Sequence, residues 1–344
     1  MKLFKNILIV RTDRIGDVVL TTPAIYALRN AYPSARISIL VSQLTVDLVD
    51  GNPHIDEIIV DDREGLHKGL LGYINLVRKI KSKHFDLAVV YHTKKRTNLM
   101  CFLSGIPWRL GYKDKKFGYL LTMPVKDDRH LGIKHEAQYC LDLLDTLGIE
   151  SKLVDPYLPI HERNEVWVAQ LLKKYNINEE NKIIAIHPGA SDPSKCWPVE
   201  RFLELMENLN LNEAVRFIII GSRNIEKIAG QMSAQVKVPP INLVAKTSVG
   251  EMVSLLKRCD LLVSNDSGPV HIASALGTPV ISIFTRNQPG INPERWKPLG
   301  KKSTFVAVEY DDTISFAKSG GIDRKYDNQI TVTEVLNTIK SVLL

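Results

Sequence analysis

One stretch of the sequence, residues 260–284, constrains the fold more than any other part of the chain. Apolar runs at 260–263 and Val280–Phe284 predict two buried strands of a parallel sheet. Between them lies a predicted short helix, which Pro269 opens and Gly277 ends. A unit of this kind places its turn at the carboxyl edge of the sheet, where ligands bind. The helix start offers N–H groups and a positive dipole end, which favour an anion such as a phosphate.

The polar residues of this turn allow two interpretations. Asp266 and Ser267 could simply cap the helix, and His271 could be a buried histidine that fills a place in the core. Alternatively, the same three residues could position a phosphate-containing ligand at the helix start. The pattern of this one stretch leaves both interpretations open.

The length and the alternation of elements together predict two α/β domains. A chain of 344 residues is long for one hydrophobic core, and 44% hydrophobic with 24% charged residues is typical of a soluble globular protein. Strands alternate with helices in both halves, which indicates βαβ units and parallel sheets. Residues 151–163 contain two prolines and lack periodicity, so we place the domain boundary there. We therefore expect Rossmann-like domains at 1–155 and 163–330, followed by a helix at 331–344.

The predicted elements follow apolar periodicity and helix-capping signals along the chain. Further strands are predicted at 7–10, 37–41, 55–60, 86–91, 183–187 and 215–220. Helices are predicted at 17–31, 70–81, 134–147 and 249–257, and another is opened by Pro198. Two capping boxes mark helix starts, Ser248 with Glu251 and Thr331 with Glu334. The last helix carries an apolar stripe and must therefore pack on an apolar surface.

Cysteine usage and the apolar segments predict a reducing compartment and no membrane span. The four cysteines are far apart in the sequence, which suggests neither a zinc site nor a disulfide framework: Cys101, Cys140, Cys196 and Cys259. The amino end resembles a signal peptide only superficially, because its apolar core is four residues long and no cleavage site follows. The long uncharged run at 267–285 is interrupted by glycine and proline. We therefore expect a cytoplasmic protein.

The loop after the first predicted strand, residues 11–17, carries two carboxylates. Its only glycine is Gly16, which argues against a dinucleotide cradle in this domain. Asp13 and Asp17 are expected at the carboxyl end of the strand. Asp17 could be the N-cap of the helix that it opens, which is the commoner role for such an aspartate. It could also be a general base, if a cleft between the domains desolvates its carboxylate and raises its pKa.

A third polar loop, residues 187–198, follows the first predicted strand of the second half. It is bounded by proline and glycine and precedes a helix. Its Lys195 could be solvated, as loop lysines usually are, or its ammonium could reach a diphosphate.

Three stretches, residues 11–25, 187–198 and 266–279, resemble in order the motifs of glycosyltransferase family 9, which contains the lipopolysaccharide core heptosyltransferases. This resemblance implies a GT-B architecture, with two Rossmann-like domains whose parallel sheets face each other across a cleft. It also implies that the helix at 331–344 packs back on the N-terminal domain. The implied activity is inverting, metal-independent transfer of a heptose or a related sugar from ADP-heptose to a hydroxyl of a lipopolysaccharide core acceptor.

The resemblance also implies roles for single residues. Asp17 matches the proposed catalytic base of the family, whereas Asp13 does not carry that role there. Lys195 matches the lysine that contacts the donor diphosphate and stabilises the leaving group. The residues implied to bind the donor are Ser191, Lys195, Glu226, Thr247, Asp266, Ser267, Gly268 and His271. A nucleotide sugar is the implied substrate, and no cofactor and no metal are expected.

The densest basic region, residues 91–118, has seven lysines and arginines against one aspartate. It could be a solvated face, or it could bind the carboxylates and phosphates of an anionic acceptor. The candidates for acceptor binding are Asp13, Lys94, Lys95 and Arg96. The net charge of +7 lies mostly in the first 150 residues, which suits a phosphorylated lipid surface. Nucleic acid fits less well, because no pattern of stacking aromatic residues interleaves the charges.

These observations lead to one expectation about partners and two alternative functions. We expect a monomer that acts on an anionic, lipid-linked saccharide at the inner membrane surface, where it could be bound peripherally. A nucleotide-sugar epimerase can share the same two-domain plan, but it needs further acid and base groups in the cleft. A sugar-binding protein without catalysis could also have kept the donor pocket.

Overall fold

The computed structural model describes residues 2–113, 116–209, 214–310 and 329–343. The chain forms two compact units, Met1–Pro159 and Ile160–Leu344. In the first unit the strands are β1 (Asn6–Val10), β2 (Arg36–Ser42), β3 (Glu57–Asp61), β4 (Leu87–Val90), β5 (Trp108–Lys113) and β6 (Met123–Lys126). Its α-helices are α1 (Ile15–Ala31), α2 (Gly69–Lys81), α3 (Lys95–Leu103) and α4 (Glu136–Asp145).

The second unit repeats this alternation of strands and helices. Its strands are β7 (Lys182–His187), β8 (Val215–Ile219), β9 (Ile241–Asn242), β10 (Leu261–Asn265), β11 (Val280–Phe284) and β12 (Ser303–Ala307). Its α-helices are α5 (Glu162–Lys174), α6 (Val199–Leu209), α7 (Glu226–Gln235), α8 (Val249–Arg258), α9 (Gly268–Ala275), α10 (Pro293–Trp296) and α11 (Val332–Leu343).

Both sheets have six parallel strands in the same spatial order. The first runs β3-β2-β1-β4-β5-β6, and the second, read from its far edge, runs β9-β8-β7-β10-β11-β12. Each is the doubly wound order, in which the chain reverses direction across the sheet beside its first strand. The two switch points lie between β1 and β4 and between β7 and β10. Crevices that bind ligands form at such points, outside the carboxyl ends of the strands.

The central strands of each sheet are buried on both faces, which explains their continuous apolar runs. Every residue of β10 and β11 is buried, as is every residue of β4. The two capping boxes are confirmed, since Glu251 N–H donates to Ser248 Oγ at 3.1 Å and Glu334 N–H donates to Thr331 Oγ1 at 3.2 Å. The α/β class with two Rossmann-like domains is therefore the observed fold.

Several predicted boundaries need correction. Helix α1 begins at Ile15 rather than Asp17, and its N-cap is Arg14. Helix α4 covers only Glu136–Asp145, because His135 is its extended N-cap and the residues after Asp145 lie in a turn. The sequence analysis missed α3, α5, α7 and α10 together with β5, β6, β9 and β12, all short or largely polar elements. The basic residues Lys95 and Arg96 therefore belong to the first turn of a helix.

The final helix completes the core of the second unit. Val332, Val335 and Ile339 are buried in the same apolar cluster as Trp197. The indole N–H of Trp197 donates to the carbonyl oxygen of Ile330 at 3.0 Å, which joins the start of α11 to the loop that follows β7. The expectation that α11 also packs back on the N-terminal domain stays a prediction, as do the roles assigned to the two domains. Within the described residues, no helix combines the length and the apolar character that a membrane span requires.

Candidate functional site

A buried arginine organises the carboxyl edge of the first sheet. Arg11 follows β1 directly, and its side chain is only 1% exposed. Its Nη2 donates to Asp17 Oδ1 at 2.9 Å and to Glu136 Oε1 at 3.2 Å. Its Nε donates to the carbonyl oxygen of Asp17 at 3.1 Å and lies 3.3 Å from Asp13 Oδ1. A buried guanidinium thus gathers three carboxylates, from the loop after β1, the first turn of α1 and the start of α4.

The carboxyl group of Asp17 is placed and tuned as a general base would be. Burial raises its pKa to about 7, and although Arg11 lowers this pKa, Asp13 and Glu136 raise it. A base works best when its pKa lies near the working pH. The side chain is 17% exposed, so it still reaches the surface of the unit. Since the N-cap of α1 is Arg14, the alternative that Asp17 caps this helix is wrong.

A second set of polar contacts adjoins the Asp13 loop. The hydroxyl of Thr12 pairs with His92 Nδ1 at 3.0 Å and accepts a hydrogen bond from Arg63 Nη2 at 2.7 Å. Burial lowers the pKa of His92 to about 4, so its ring is neutral at neutral pH. Asp13, whose side chain is 16% exposed, lies beside these groups at the switch point. The loops after β1, β3 and β4 therefore form one hydrogen-bonded polar surface.

The three basic candidates for acceptor binding have different surroundings. Lys94 and Lys95 are exposed. Arg96, in contrast, donates through Nη2 and Nε to the two carboxylate oxygens of the buried Asp61, at 2.8 and 3.1 Å. Its guanidinium also lies 4.6 Å from the centre of the Tyr73 ring. Arg96 thus forms an internal ion pair, whereas the two lysines are exposed. Asp114 and Lys115 lie outside the described residues.

In the second unit, a neutral histidine orients the polar turn before α9. His187 Nδ1 pairs with the hydroxyls of Ser267 at 3.0 Å and Ser264 at 3.3 Å. Burial lowers the pKa of His187 to about 4. Ser267 is the N-cap of α9 by backbone position, but its hydroxyl makes these contacts rather than a capping hydrogen bond. The side chains of Asp266 and Ser267 therefore serve other contacts than capping.

Lys195 lies beside the start of the same helix. Its ammonium forms an ion pair with Asp266, with 16% and 7% of the two side chains exposed. Asp192 places Lys195 by capping a single helical turn at Pro193–Lys195, where its Oδ1 accepts from Ser194 N–H at 2.9 Å. The side chain of the buried Asn265 joins the loop to β10 by hydrogen bonds. Thus the structure brings Lys195 and Asp266 together from positions 71 residues apart.

Arg286 adds a cation to this edge that the sequence analysis missed. It follows β11, and its Nη1 donates to Ser194 Oγ at 2.9 Å and lies 3.5 Å from Asp192 Oδ2. Its side chain is 17% exposed. The sequence signal was available, because the residue stands two positions beyond a predicted strand end, where ligand contacts are common.

The other predicted donor residues are spread around the carboxyl edge of the second sheet. Ser191 and Glu226 are exposed, and Thr247 is half-buried just before the cap of α8. Gly268 is the first residue of α9. His271 is buried in α9, with its ring centre 6.3 Å from that of Trp296. Donor binding by these residues stays a prediction.

Two residues at the carboxyl edge of the first sheet, Arg11 and Glu136, were not predicted as site residues, for different reasons. Arg11 was visible as a charged residue that directly continues a buried strand, but nothing indicated that its side chain is buried too. Glu136 lies 125 residues away in the chain, so only the fold shows its contact with Arg11. Among the described residues, no group of three or more His, Cys, Asp or Glu side chains could hold a metal ion.

Comparison with solved structures shows the class of fold. The glycosyl transferase family 9 structure from Veillonella parvula superposes with a TM-score of 0.87 at 23% identity, over 100% of this chain and 98% of that one. The E. coli heptosyltransferase WaaC with ADP gives a TM-score of 0.69 at 15% identity, over 98% and 99% of the two chains. The fold is therefore of the GT-B type, with two Rossmann-like domains.

Comparison of sequences shows the family. The model of glycosyltransferase family 9 (heptosyltransferase) matches residues 73–323. Lipopolysaccharide heptosyltransferase 2 of Escherichia coli is 24% identical over 320 residues, covering 88% of each chain. The chain belongs to glycosyltransferase family 9 and is a glycosyltransferase. The resemblance seen in the three motifs is thereby confirmed.

The shared use of Arg11 by two carboxylates leads to a prediction for Glu136→Gln. With the second carboxylate neutral, Arg11 pairs more fully with Asp17 and a neighbouring negative charge is lost, so the pKa of Asp17 falls. Carboxyl ¹³C NMR titration measures this pKa, and Asp17→Asn assigns the signal. Asp142→Asn, on the outer face of the same helix, serves as the control and leaves the titration unchanged. An unchanged or raised pKa in Glu136→Gln contradicts the proposed sharing.

Proposed function

We propose that this chain is an inverting glycosyltransferase that moves a heptose from ADP-heptose to a hydroxyl of a lipopolysaccharide core acceptor. The observation that carries the proposal is the Asp17 carboxyl group, which burial tunes to a pKa of about 7 at the switch point of the first sheet. Family membership supports the transferase chemistry. The named relatives, a lipopolysaccharide heptosyltransferase and a heptosyltransferase solved with ADP, support the sugar and the nucleotide.

In the proposed reaction, Asp17 acts as the base. Its carboxylate accepts the proton of the acceptor hydroxyl while the oxygen attacks the anomeric carbon from the side opposite the diphosphate. The bond between this carbon and the diphosphate oxygen breaks, and its electron pair leaves with ADP. The configuration at the anomeric carbon is thereby inverted. Arg11 holds Asp17 in place and keeps its own positive charge throughout.

Lys195 is proposed to stabilise the leaving group. Its ammonium exchanges the Asp266 carboxylate for the diphosphate as negative charge develops there, and the N–H groups at the start of α9 add their dipole. Arg286 lies close enough to Ser194 to supply a second positive charge on the same edge. These cations take the part that a metal ion plays in other transferases, so the reaction is proposed to need neither metal nor cofactor.

The remaining contacts follow from the placement of the other residues. Ser191 and Thr247 lie in loops at the carboxyl edge of the second sheet and Glu226 begins α7 there, where the ribose and base of a nucleotide would be bound. Ser267, Gly268 and His271 line or support the start of α9. On the first unit, Asp13, Lys94 and Lys95 are proposed to contact the acceptor. Arg96 is proposed to shape that surface through Asp61. The proposed reaction thus draws on residues of both units.

The proposed partner is an anionic, lipid-linked saccharide at the inner membrane surface, reached by a monomeric enzyme from the cytoplasm. The discriminating experiment incubates the full chain with ADP-heptose, with and without a core acceptor, and measures ADP release and the sugar products. ADP release that requires acceptor supports the transferase. Isomerised sugar without acceptor indicates an epimerase, and donor binding without turnover indicates a binding protein; either result overturns the proposal.

Replacing the base gives the sharpest test of its role. Asp17→Asn removes the proton acceptor while preserving shape, so we expect transfer to fall by about 10²- to 10⁴-fold with donor affinity unchanged. In the unaltered enzyme the carboxylate is the active form, so kcat/KM falls about tenfold per pH unit below pH 7 and levels off above it. Near-normal turnover in Asp17→Asn, or a rate that is flat between pH 5 and about 8 in the unaltered enzyme, contradicts the assignment.

Lys195, at the carboxyl edge of the second sheet, leads to a separate prediction. Lys195→Met keeps the length of the side chain but removes the charge, so kcat falls by about 10²- to 10³-fold, the cost typical of losing one group that stabilises a leaving anion. Stopped-assay kinetics with ADP-heptose check this loss. Lys246→Met, which replaces an exposed lysine whose Nζ donates to the carbonyl oxygen of Asn242 at the end of β9, is the control. Equal effects of the two substitutions contradict a specific role of Lys195.

A further inference from the structure

The segment that joins β3 to α2 in the first unit carries three large apolar side chains that are exposed to solvent. Leu66, Leu70 and Leu71 are 80%, 74% and 78% exposed. They lie in the segment 62–72, here called the leucine loop, which follows β3 and enters α2. Helix α2 packs through Gly72, Leu76 and Ile80, which are buried. Leu70 and Leu71 therefore lie off its packed face, where polar residues are expected.

The leucine loop is held in shape by its own hydrogen bonds. The carboxylate of Asp62 accepts from the N–H groups of Gly65 and Leu66, each at 2.9 Å, and His67 N–H donates to the Asp62 carbonyl oxygen at 2.7 Å. A Cβ on Gly72 would lie 2.6 Å from the carbonyl carbon of His67, so α2 packs closely against the loop. These contacts hold the loop in the conformation that exposes the three leucines.

The loop lies on the edge of the unit that carries Asp17. It follows β3, two strands from β1, which is about 10 Å across the sheet. Arg63 links the two places, since it binds Asp61 and donates to Thr12 Oγ1 at 2.7 Å. Other exposed apolar side chains stand in turns at this same edge, after β2, β5 and β6: Leu44, Tyr119, Leu131 and Ile133.

Cations accompany these apolar side chains. Lys68 stands inside the leucine loop, and Lys94 and Lys95 follow β4; all three are exposed. Glu64 is the exposed acid of the loop, while the Asp62 carboxylate is engaged by backbone N–H groups. Apolar side chains interleaved with lysines are typical of surfaces that enter the boundary between headgroups and acyl chains of an anionic bilayer.

We propose that the leucine loop inserts its three leucines into the surface of an anionic lipid bilayer and thereby holds the Asp17 edge of the first unit at the membrane. The proposal rests on the proposed function, because a lipid-linked acceptor presents its saccharide at that surface. Shallow insertion needs only side chains and leaves the fold unchanged. Lys68, Lys94 and Lys95 add attraction to acidic headgroups, which salt weakens.

The test measures binding of the full chain to vesicles, which requires no catalysis. The unaltered chain co-sediments with vesicles of phosphatidylglycerol and phosphatidylethanolamine, and less with vesicles of phosphatidylcholine alone. In Leu66→Ser/Leu70→Ser/Leu71→Ser, the apparent affinity for the anionic vesicles falls by about tenfold or more. Leu3→Ser, a residue 81% exposed before β1 at the opposite edge of the sheet, binds as the unaltered chain does. Circular dichroism verifies that each variant is folded.

Activity assays separate this proposal from the proposed function. With an acylated acceptor embedded in vesicles, the triple variant loses ADP release about in proportion to its lost binding, whereas with a deacylated acceptor in solution it keeps the full rate. Vesicle binding that depends on the leucines, without any transfer, overturns only the proposed function. Failure of the unaltered chain to bind vesicles, or equal binding by the triple variant, overturns the membrane contact. Light scattering that shows the leucines joining two copies, with vesicle binding unaffected, overturns it as well.

Discussion

The polar site at the carboxyl edge of the first sheet depends on the burial of one cation, Arg11. Taking a guanidinium out of water costs several kcal/mol unless charged partners offset this desolvation. Arg11 has three carboxylates as such partners. Burial raises the pKa of Asp17 to about 7, Arg11 lowers it, and the neighbouring Asp13 and Glu136 raise it further. The properties of the proposed base are thus a consequence of how β1, α1 and α4 pack together.

The carboxyl edge of the second sheet has the same strand order and a different set of charges. There, Lys195 forms an ion pair with Asp266 just before the start of α9, and Arg286 donates to Ser194. The pair keeps Lys195 oriented and partly desolvated without leaving a cation unpaired. The neutral His187 orients the hydroxyl of Ser267, which makes no capping hydrogen bond to α9. Two copies of one topology thereby place an arginine among three carboxylates at one edge and a lysine paired with an aspartate at the other.

The sequence predicted what depends on local patterns and missed what depends on distant contacts. The unit at 260–284 was found because apolar runs, proline and glycine act within a few residues, and the structure has β11 at the predicted bounds. Asp17 and Lys195 were found through motifs. Glu136, in contrast, reaches Arg11 across 125 residues. Arg96 looked like a free surface charge because its partner Asp61 lies 35 residues upstream. Side-chain pairing of this kind follows only from the folded sheet.

The start of α1 shows how far the site departs from local stability. An aspartate near a helix start would normally be a cap, worth about 1 kcal/mol. Here the N-cap is Arg14, whose side chain has no acceptor for a helix N–H. Asp17 stands three residues further on, where its carboxylate faces Arg11 and its carbonyl oxygen accepts from Thr21 and Arg11. The lack of a side-chain cap and the burial of an ionisable group both lower the stability of the folded state at this point. Such departures are expected at functional sites. The departure therefore marks Asp17 as a candidate functional residue independently of any motif.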